Sequence, residues 1–247
     1  MAARREGTQG RATRPRADQP PATKARPGSD SASQTAGPRT ELRVYLLIED
    51  LKRQFAAYLG TPTRARGYPP LEGSHALIVE VAPGLAIERV IDLALKSVPA
   101  VEPGILFVER QFGVLELHSY NLEEVKQAGK AILEGIGCAP TDQLRPRILY
   151  SDIIEDITDQ HAVIVNRNRQ ASMVMPGETL LVYEMTPALF ATVAANEAEK
   201  AAPENTLVDV QMIGAAGRIY ISGKSEGVAR ARDAITRVLN AVEGREQ

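Results

Sequence analysis

Apolar and polar positions alternate in short runs along much of the chain, and one stretch near the middle predicts a β-hairpin. Residues 104–119, GILFVERQFGVLELHS, contain two apolar runs, and each run has the length and composition of a single strand. Two charged residues, Glu109 and Arg110, lie between the runs and therefore fall in the predicted turn. Turns are commonly polar because they face water, so this pair by itself indicates only a solvated turn.

The hydrophobic pattern occurs twice in the chain. The sequence IEDL at residues 48–51 recurs as IEDI at residues 154–157, which is 106 residues later, and further along the spacing becomes 104 residues. Other matched pairs are Leu77 and Leu181, Glu80 and Glu184, Pro83 and Pro187, Leu85 and Leu189, Lys96 and Lys200, and Gly113 and Gly217. The chain is therefore a tandem duplication, and its two domains are predicted at residues 41–143 and 144–247.

Both units predict the same order of secondary structure. A strand, a polar loop or short helix and a buried strand come first, and they are followed by a helix that begins at Pro83 or Pro187, a hairpin and a second helix. The predicted strands are 43–48, 76–81, 147–153 and 180–185, and the predicted second helices are 122–134 and 227–242. Because the helix after Pro83 has one apolar stripe, it must pack on a sheet. The order predicts an α/β sandwich in which helices cover an antiparallel sheet.

The composition is typical of a soluble cytoplasmic protein. The apolar fraction is 44%, no apolar run approaches the roughly 18 residues of a membrane span, and Cys138 is the only cysteine, so no intrachain disulfide can form. Residues 1–40 contain eight Arg or Lys against three acids and no Val, Ile, Leu, Phe or Tyr. We therefore expect a disordered basic tail, which is either a tether for an acidic partner or a solvated extension.

One long stretch, ALIVEVAPGLAIERVIDLALKSVP at residues 76–99, resembles the bacterial microcompartment (BMC) shell domain together with the hairpin and helix that follow it. The strand that precedes this core is similar to the circularly permuted form of that domain, and two such domains in one chain resemble the tandem class of shell proteins. The stretches at residues 41–70, 106–113 and 144–173 are similar to the tandem shell proteins of carboxysomes, above all to the α-carboxysome version.

This resemblance implies a homotrimer whose six domains form a disc with a pore on its threefold axis, as a structural tile of the carboxysome shell in the bacterial cytoplasm. In the family, small metabolites such as sugar phosphates pass the pore, trimers can stack face to face, and other shell proteins are the partners. The family pore is lined by the hairpin turns, which here are Glu109, Arg110, Gln111 and Phe112 in the first domain and Gly214, Ala215 and Ala216 in the second. Glu109 and Arg110 are then the expected gate.

A lysine lies at matched positions near the end of the first helix of each unit. Lys96 can pair with Asp92 across one helical turn, but the residue that matches Asp92 is Asn196, so we do not expect local pairing to explain both Lys96 and Lys200. The resemblance implies instead that both lysines lie on the edge of the tile, where each meets its equivalent from the neighbouring tile.

Catalysis is one alternative function, and its strongest signal is a cluster in the second unit formed by Asp152, Asp156, Asp159 and His161. Such residues can hold a metal or act as acids and bases. The matching residues of the first unit are Leu46, Asp50, Arg53 and Phe55, so only Asp156 has a like counterpart. The chain also lacks a glycine-rich phosphate loop. We therefore expect an acidic solvated face, no catalysis, no metal and no cofactor.

Two binding functions are further alternatives. The polar run of residues 166–170 could bind phosphate or nucleic acid, but it has no interleaved aromatic residues, which favours a structural loop that makes hydrogen bonds near the axis or between subunits. A trimeric sensor of duplicated α/β domains would bind a small molecule between its domains. A shell protein should assemble into sheets, whereas a sensor should remain a discrete trimer that its ligand stabilises.

Overall fold

The computed structural model describes residues 39–61 and 67–247, and it shows the same unit twice. The first unit has the strands β1 (Glu41–Ile48), β2 (His75–Ala82), β3 (Glu102–Glu109) and β4 (Phe112–Ser119). Its helices are α1 (Arg53–Leu59), α2 (Ile87–Ser97) and α3 (Leu122–Ile136). The predicted tail, residues 1–40, lies outside the described residues except for its last two.

The second unit repeats this order. Its strands are β5 (Arg147–Ile154), β6 (Thr179–Thr186), β7 (Thr206–Gln211) and β8 (Gly217–Gly223), and its helices are α4 (Asp159–Asn168), α5 (Phe190–Ala201) and α6 (Ser225–Ala241). The sheets have the orders β1-β2-β4-β3 and β5-β6-β8-β7, and all neighbouring strands are antiparallel. The predicted α/β class with antiparallel sheets and helices is confirmed. The domain bounds at residues 143 and 144 stay a prediction, because Pro38–Gln247 forms one compact unit.

Strand β2 is buried on both faces, as its apolar run predicts. Leu77 and Val79 pack against α2 and α3, whereas Ile78, on the opposite face, joins a core that includes residues of the second unit. Glu80 is the exception in this strand, since it is a buried acid. A sheet that is covered on both faces explains why β2 has a continuous apolar sequence rather than an alternating one.

The two first helices begin a few residues later than predicted. Pro83 precedes a short 3-10 turn, Gly84–Ala86, and α2 starts only at Ile87. The carbonyl of Pro83 accepts a hydrogen bond from the N–H of Ala86 (3.0 Å), and the carbonyl of Pro187 accepts one from Phe190 (3.3 Å). Each proline therefore supplies the acceptor for the tight first turn, and the regular helix follows that turn.

One of the hydrophobic cores contains residues of both units, and in it β1 and α1 pack against α5. Helix α1 has no side-chain cap of its own, because Lys52 occupies its N-cap position. Instead, the carboxylate of Glu199 in α5 accepts hydrogen bonds from the backbone N–H groups of Gln54 (2.8 Å) and Phe55 (2.9 Å). The N–H of Lys52 donates to the amide oxygen of Asn196 (2.8 Å). The first turn of α1 is therefore capped by the other unit.

Helix α1 also lies along the edge of the second sheet. The Gln54 side chain donates to the carbonyl of Asn205 (2.9 Å) and accepts from the N–H of Leu207 (2.8 Å). The Tyr58 hydroxyl donates to the carbonyl of Val210 in β7. Backbone groups of an edge strand need partners when they are buried, and α1 provides them here.

Candidate pore-lining site

The structure brings the two predicted turns of one chain together. A cleft of about 500 Å³ is lined by six of the seven predicted residues: Glu109, Arg110, Gln111, Phe112, Gly214 and Ala215. The seventh, Ala216, lies in the same turn but does not line the cleft. Turns that are more than 100 residues apart in sequence therefore face one space.

The first turn is a two-residue connection between β3 and β4. The first of these two residues, Arg110, has a positive φ of 55°. This left-handed conformation is uncommon for residues other than glycine, asparagine and aspartate, so the fold must hold it. The Arg110 side chain is 88% exposed, and its Nε lies 3.7 Å from Oε1 of Glu109. An exposed ion pair at this distance is weak, which leaves the guanidinium able to exchange partners.

The second turn is built from small residues. Gly214 has a φ of 114°, a conformation that glycine adopts without strain. The Thr186 hydroxyl donates to the carbonyl of Ala215 (3.3 Å) and connects the turn to the end of β6. Because Gly214 and Ala215 project little into the cleft, they leave room for the longer side chains of the first turn.

An ion pair that the sequence did not predict lies next to the first turn. The guanidinium of Arg43 in β1 lies 3.8 Å from the centre of the Phe112 ring, and its Nε donates to Oε1 of Glu80 at 2.7 Å. Burial raises the pKa of Glu80, and the contact with Arg43 opposes that rise. In the second unit the matching acid, Glu184, pairs with Arg218 at 2.7 Å. Glu80 and Glu184 occupy matched positions in two apolar strands, and this repeated acid could have indicated an ion pair in each unit.

Both lysines of the predicted tile edge form ion pairs within their own helices. Nζ of Lys96 lies 2.7 Å from a carboxylate oxygen of Asp92, and Nζ of Lys200 lies 2.6 Å from one of Glu197. The expectation that local pairing cannot explain both lysines was therefore wrong, because Lys200 uses the acid three residues earlier. Position on a tile edge stays a prediction for both lysines.

The acidic cluster of the second unit does not converge on a site; its members, Asp152, Asp156, Asp159 and His161, are all exposed. Asp156 and the matching Asp50 have positive φ angles of 50° and 58°. Aspartate tolerates this conformation better than most residues, so the repeated acid marks a turn after the first strand of each unit. Within residues 39–61 and 67–247, no three potential ligands are placed to hold a metal ion.

The polar run of residues 166–170 is structural within the second unit. The Asn166 side chain donates to the carbonyl of Val174 (2.7 Å) and accepts from its N–H (3.0 Å), which closes the loop after α4. The N–H of Gln170 donates to the carboxylate of Asp209 (3.1 Å). These bonds agree with the predicted structural loop, and its proposed place at the axis or between subunits stays a prediction.

Sequence comparison finds relatives over most of the chain. The family profile of the CsoS1D N-terminal domain matches residues 42–142. The carboxysome shell protein CcmP of Synechococcus elongatus is 41% identical over 206 residues, which cover 83% of this chain and 95% of CcmP. The carboxysome shell protein CsoS1D of Prochlorococcus marinus is 39% identical over 203 residues, which cover 82% of this chain and 78% of CsoS1D.

Two solved structures of shell proteins are similar to this chain over most of its length. The double-ringed trimeric shell protein MSM0271 from the RMM microcompartment is 71% identical, covers 85% of this chain over its own full length (100%), and superposes with a TM-score of 0.81. The fused permuted shell protein MSM0275 of the same compartment is 48% identical, with coverage of 83% and 99% and a TM-score of 0.79.

Two fused permuted BMC domains, with the turns of both at one cleft, define a tandem-domain shell protein. The chain belongs to the family of microcompartment shell proteins that contains CcmP and CsoS1D. It is a structural protein and not an enzyme, and the named relatives give no support to the sensor alternative. In the part of the chain that the structure describes, no helix has the length and apolar character to cross a bilayer.

Proposed function

We propose that three copies of this chain form a ring of six BMC domains, and that this ring is a tile in a microcompartment shell with the turns of all domains around its central pore. One observation supports the ring above all: each chain exposes both halves of the interface that joins its own two units. The halves are copies of buried surfaces, so they should bury one another between chains.

The first exposed half lies on α4 and β5. Ile164 matches Tyr58 in the duplication, but Ile164 is 60% exposed whereas Tyr58 is 2% exposed. Tyr150 matches Val44, since both face the matched acids of the neighbouring strands, and Tyr150 is exposed whereas Val44 is buried. Apolar residues that are core in the first unit are therefore at the surface in the second.

The second exposed half lies beside α2 and at the end of β3. Leu85 is 75% exposed, whereas the matching Leu189 is 1% exposed because it packs in the core that the two units share. Val108 is likewise exposed, and its counterpart Met212 is buried in that core. The matching surface of the second unit, which includes Leu189 and Met212, is buried in the core that contains residues of both units.

A contact between these two different surfaces is head-to-tail, and such contacts close into rings when the rotation permits. If the contact between chains repeats the contact between the two units of one chain, all domains have similar surroundings around one axis. Closure after three chains is supported by MSM0271, which is described as trimeric. Its description as double-ringed supports the further proposal that two such rings stack face to face.

The gate is part of this proposal. Three Glu109–Arg110 pairs around an axis can satisfy one another across the opening or fold back along its wall, and these are two discrete arrangements. The exposed, weak pair within one chain supports a small difference in free energy between them. Because arginine holds a carboxylate or phosphate with two hydrogen bonds, an anion such as a sugar phosphate would shift the population.

The compartment is inferred from the named relatives. CcmP and CsoS1D are carboxysome shell proteins, which supports a carboxysome shell in the bacterial cytoplasm. A shell of the RMM kind is the second candidate, because MSM0271 shares 71% of the sequence. Compartments purified from the native host through this chain distinguish the two: CO₂-fixing activity in the purified shells supports the carboxysome, and its absence supports the other shell.

The ring is tested by Ile164→Asp and Leu85→Asp, each of which places a charge in one half of the proposed interface. We expect folded monomers from either variant and trimers from the wild type, as measured by light scattering after size exclusion. Val163→Asp is the matched control: Val163 is as exposed as Ile164 on the same helix, but its counterpart Ala57 stays exposed beside the other unit. Trimers in both test variants, or monomers in the control, would refute the proposed interface.

A further inference from the structure

A second cleft, also of about 500 Å³, lies away from the pore turns. It is formed where β4 ends, β3 begins and α3 starts, and its polar lining includes Glu102, His118, Ser119 and Glu124. No lysine or arginine is among the described residues that line it. The cleft is therefore acidic, with one imidazole, which is a surrounding that favours a cation.

His118 is oriented by a buried acid. Its side chain is 6% exposed, and its Nδ1 lies 3.0 Å from Oε1 of Glu116. The other ring nitrogen, Nε2, lies 3.7 Å from a carboxylate oxygen of Glu102, which is too long for a hydrogen bond. When Glu116 is ionised, Nδ1–H of His118 donates to its carboxylate, which leaves a lone pair on Nε2, beside the carboxylate of Glu102.

Glu116 is costly for the fold unless a positive charge lies near it. The residue is fully buried, and its Oε2 has no hydrogen-bond partner among the described residues. A buried carboxylate with an unsatisfied oxygen normally needs an explanation, because desolvation of the charge is expensive. The second unit avoids this cost: the residues that match Glu102, Glu116 and His118 are Thr206, Tyr220 and Ser222.

We propose that this cleft binds one divalent transition-metal ion of the Zn²⁺ class, with Nε2 of His118 and the carboxylate of Glu102 as its protein ligands. Ligand atoms 3.7 Å apart can both reach an ion at about 2.0–2.2 Å, the usual distance for zinc. Glu124, whose carboxylate accepts a hydrogen bond from the Ser119 hydroxyl (2.6 Å), adds negative charge to the same cleft. Because no three ligands converge in the described part of the chain, water completes the coordination.

Glu116 is the positioning residue of this site. Its carboxylate fixes the orientation of the imidazole with the proton on Nδ1, so that Nε2 is the ligand atom, as carboxylates behind metal-bound histidines commonly do. The ion in turn compensates the buried negative charge through the ring. The site occurs only in the first unit, so the expected stoichiometry is one ion per chain, whatever the assembly.

The test is a Zn²⁺ titration of the full chain, freed of any histidine tag and dialysed against a chelator, by isothermal calorimetry. We expect one ion per chain in the wild type and none in His118→Ala or Glu102→Gln. Glu116→Gln should weaken binding by about 10- to 100-fold. Binding of Co²⁺ should give a visible spectrum that the same substitutions abolish.

Glu102→Gln guards against a false result from misfolding, because the Glu102 side chain is more than half exposed and supports no core. His161→Ala is the matched control, since His161 is an exposed histidine outside the cleft. The proposal is overturned if the wild type does not bind Zn²⁺, if Glu102→Gln binds as tightly as the wild type, or if the control loses the ion.

Discussion

The guanidinium of Arg43 stacks on the Phe112 ring at 3.8 Å, which joins the start of the first strand to the residue that follows the turn between β3 and β4. The same side chain forms an ion pair with Glu80 on the intervening strand. Three strands are therefore connected beneath the turn that carries Arg110. This connection helps the fold to hold the left-handed backbone of Arg110.

Arg43→Met should lower the free energy of unfolding by about 2–3 kcal/mol, because it leaves the mostly buried Glu80 without a partner. Urea unfolding measures the effect. Adding Glu80→Gln should restore part of the loss, as a double-mutant cycle would show. Arg218→Met is the control, since the pair of Arg218 with Glu184 is more exposed and should contribute about 1 kcal/mol or less. Equal losses at both pairs would contradict this account.

Replacing both Glu109 and Arg110 by Ala should give a pore that is always wide, while the ring and its assembly persist. The substitutions remove the side chains that can meet across the axis and leave the small second turn unchanged. Electron microscopy of the assembled protein measures the opening. A closed pore in the double variant would end the gate hypothesis.

Changing both Lys96 and Lys200 to Glu should abolish sheets but leave discrete rings, if these lysines lie on the tile edge. Glutamate has no N–H donors and the opposite charge, so it cannot make the contacts that a lysine makes across the tile edge, whereas the lost pairs within the helices contribute only about 0.5 kcal/mol each. Negative-stain microscopy shows the sheets. Lys130→Glu on α3 is a control with the same kind of local pair, to Glu134. Sheets that form normally from the double variant would exclude the edge assignment.

Glu116 should make the metal-free protein less stable as the pH rises. Burial raises the pKa of this carboxyl, and the contact with His118 opposes that shift. The folded state therefore keeps a proton that the unfolded chain has lost, so this contribution to stability is present at low pH and is lost as the pH rises through the folded pKa.

Urea unfolding in the presence of a chelator, from about pH 4 to pH 7, measures this dependence. Glu116→Gln stays neutral throughout and should unfold with a smaller loss of stability over the same range. Glu123→Gln, an exposed neighbour on α3, should behave like the wild type. An identical slope in wild type and Glu116→Gln would show that this carboxyl does not titrate as argued.

The order of elements and the position of the turns could be predicted because both depend on local signals. Apolar periodicity marks β2 and α2, and the charged Glu109–Arg110 pair marks the break between two strands. Duplication strengthened each signal, since every element could be read twice. The pairing of Lys200 with Glu197 was also local, and attention to the acid three residues earlier would have found it.

The remaining features depend on contacts between residues that are distant in sequence. Nothing near Phe112 indicates that Arg43 lies under its ring, and nothing near Gln54 indicates that Glu199 binds its N–H group. The pairing of Glu116 with His118 is local, but only the fold shows that both are buried and that Glu102 is beside them. Such contacts follow from strand order and helix packing, which periodicity alone does not specify.

Because Glu199 of the second unit caps helix α1 of the first, the two units cannot be separated into two genes without loss of contacts. A gene for the first unit alone would encode a helix whose opening turn has lost its carboxylate, and a β1 strand without α5 at its side. A gene for the second unit alone would keep the cap of α4, because the hydroxyl of Thr158 accepts from the N–H of His161, but it would lose the partners that α1 gives to the backbone of β7. Gene fission would therefore leave each product dependent on the other, the first for the cap of a helix and the second for the edge of its sheet.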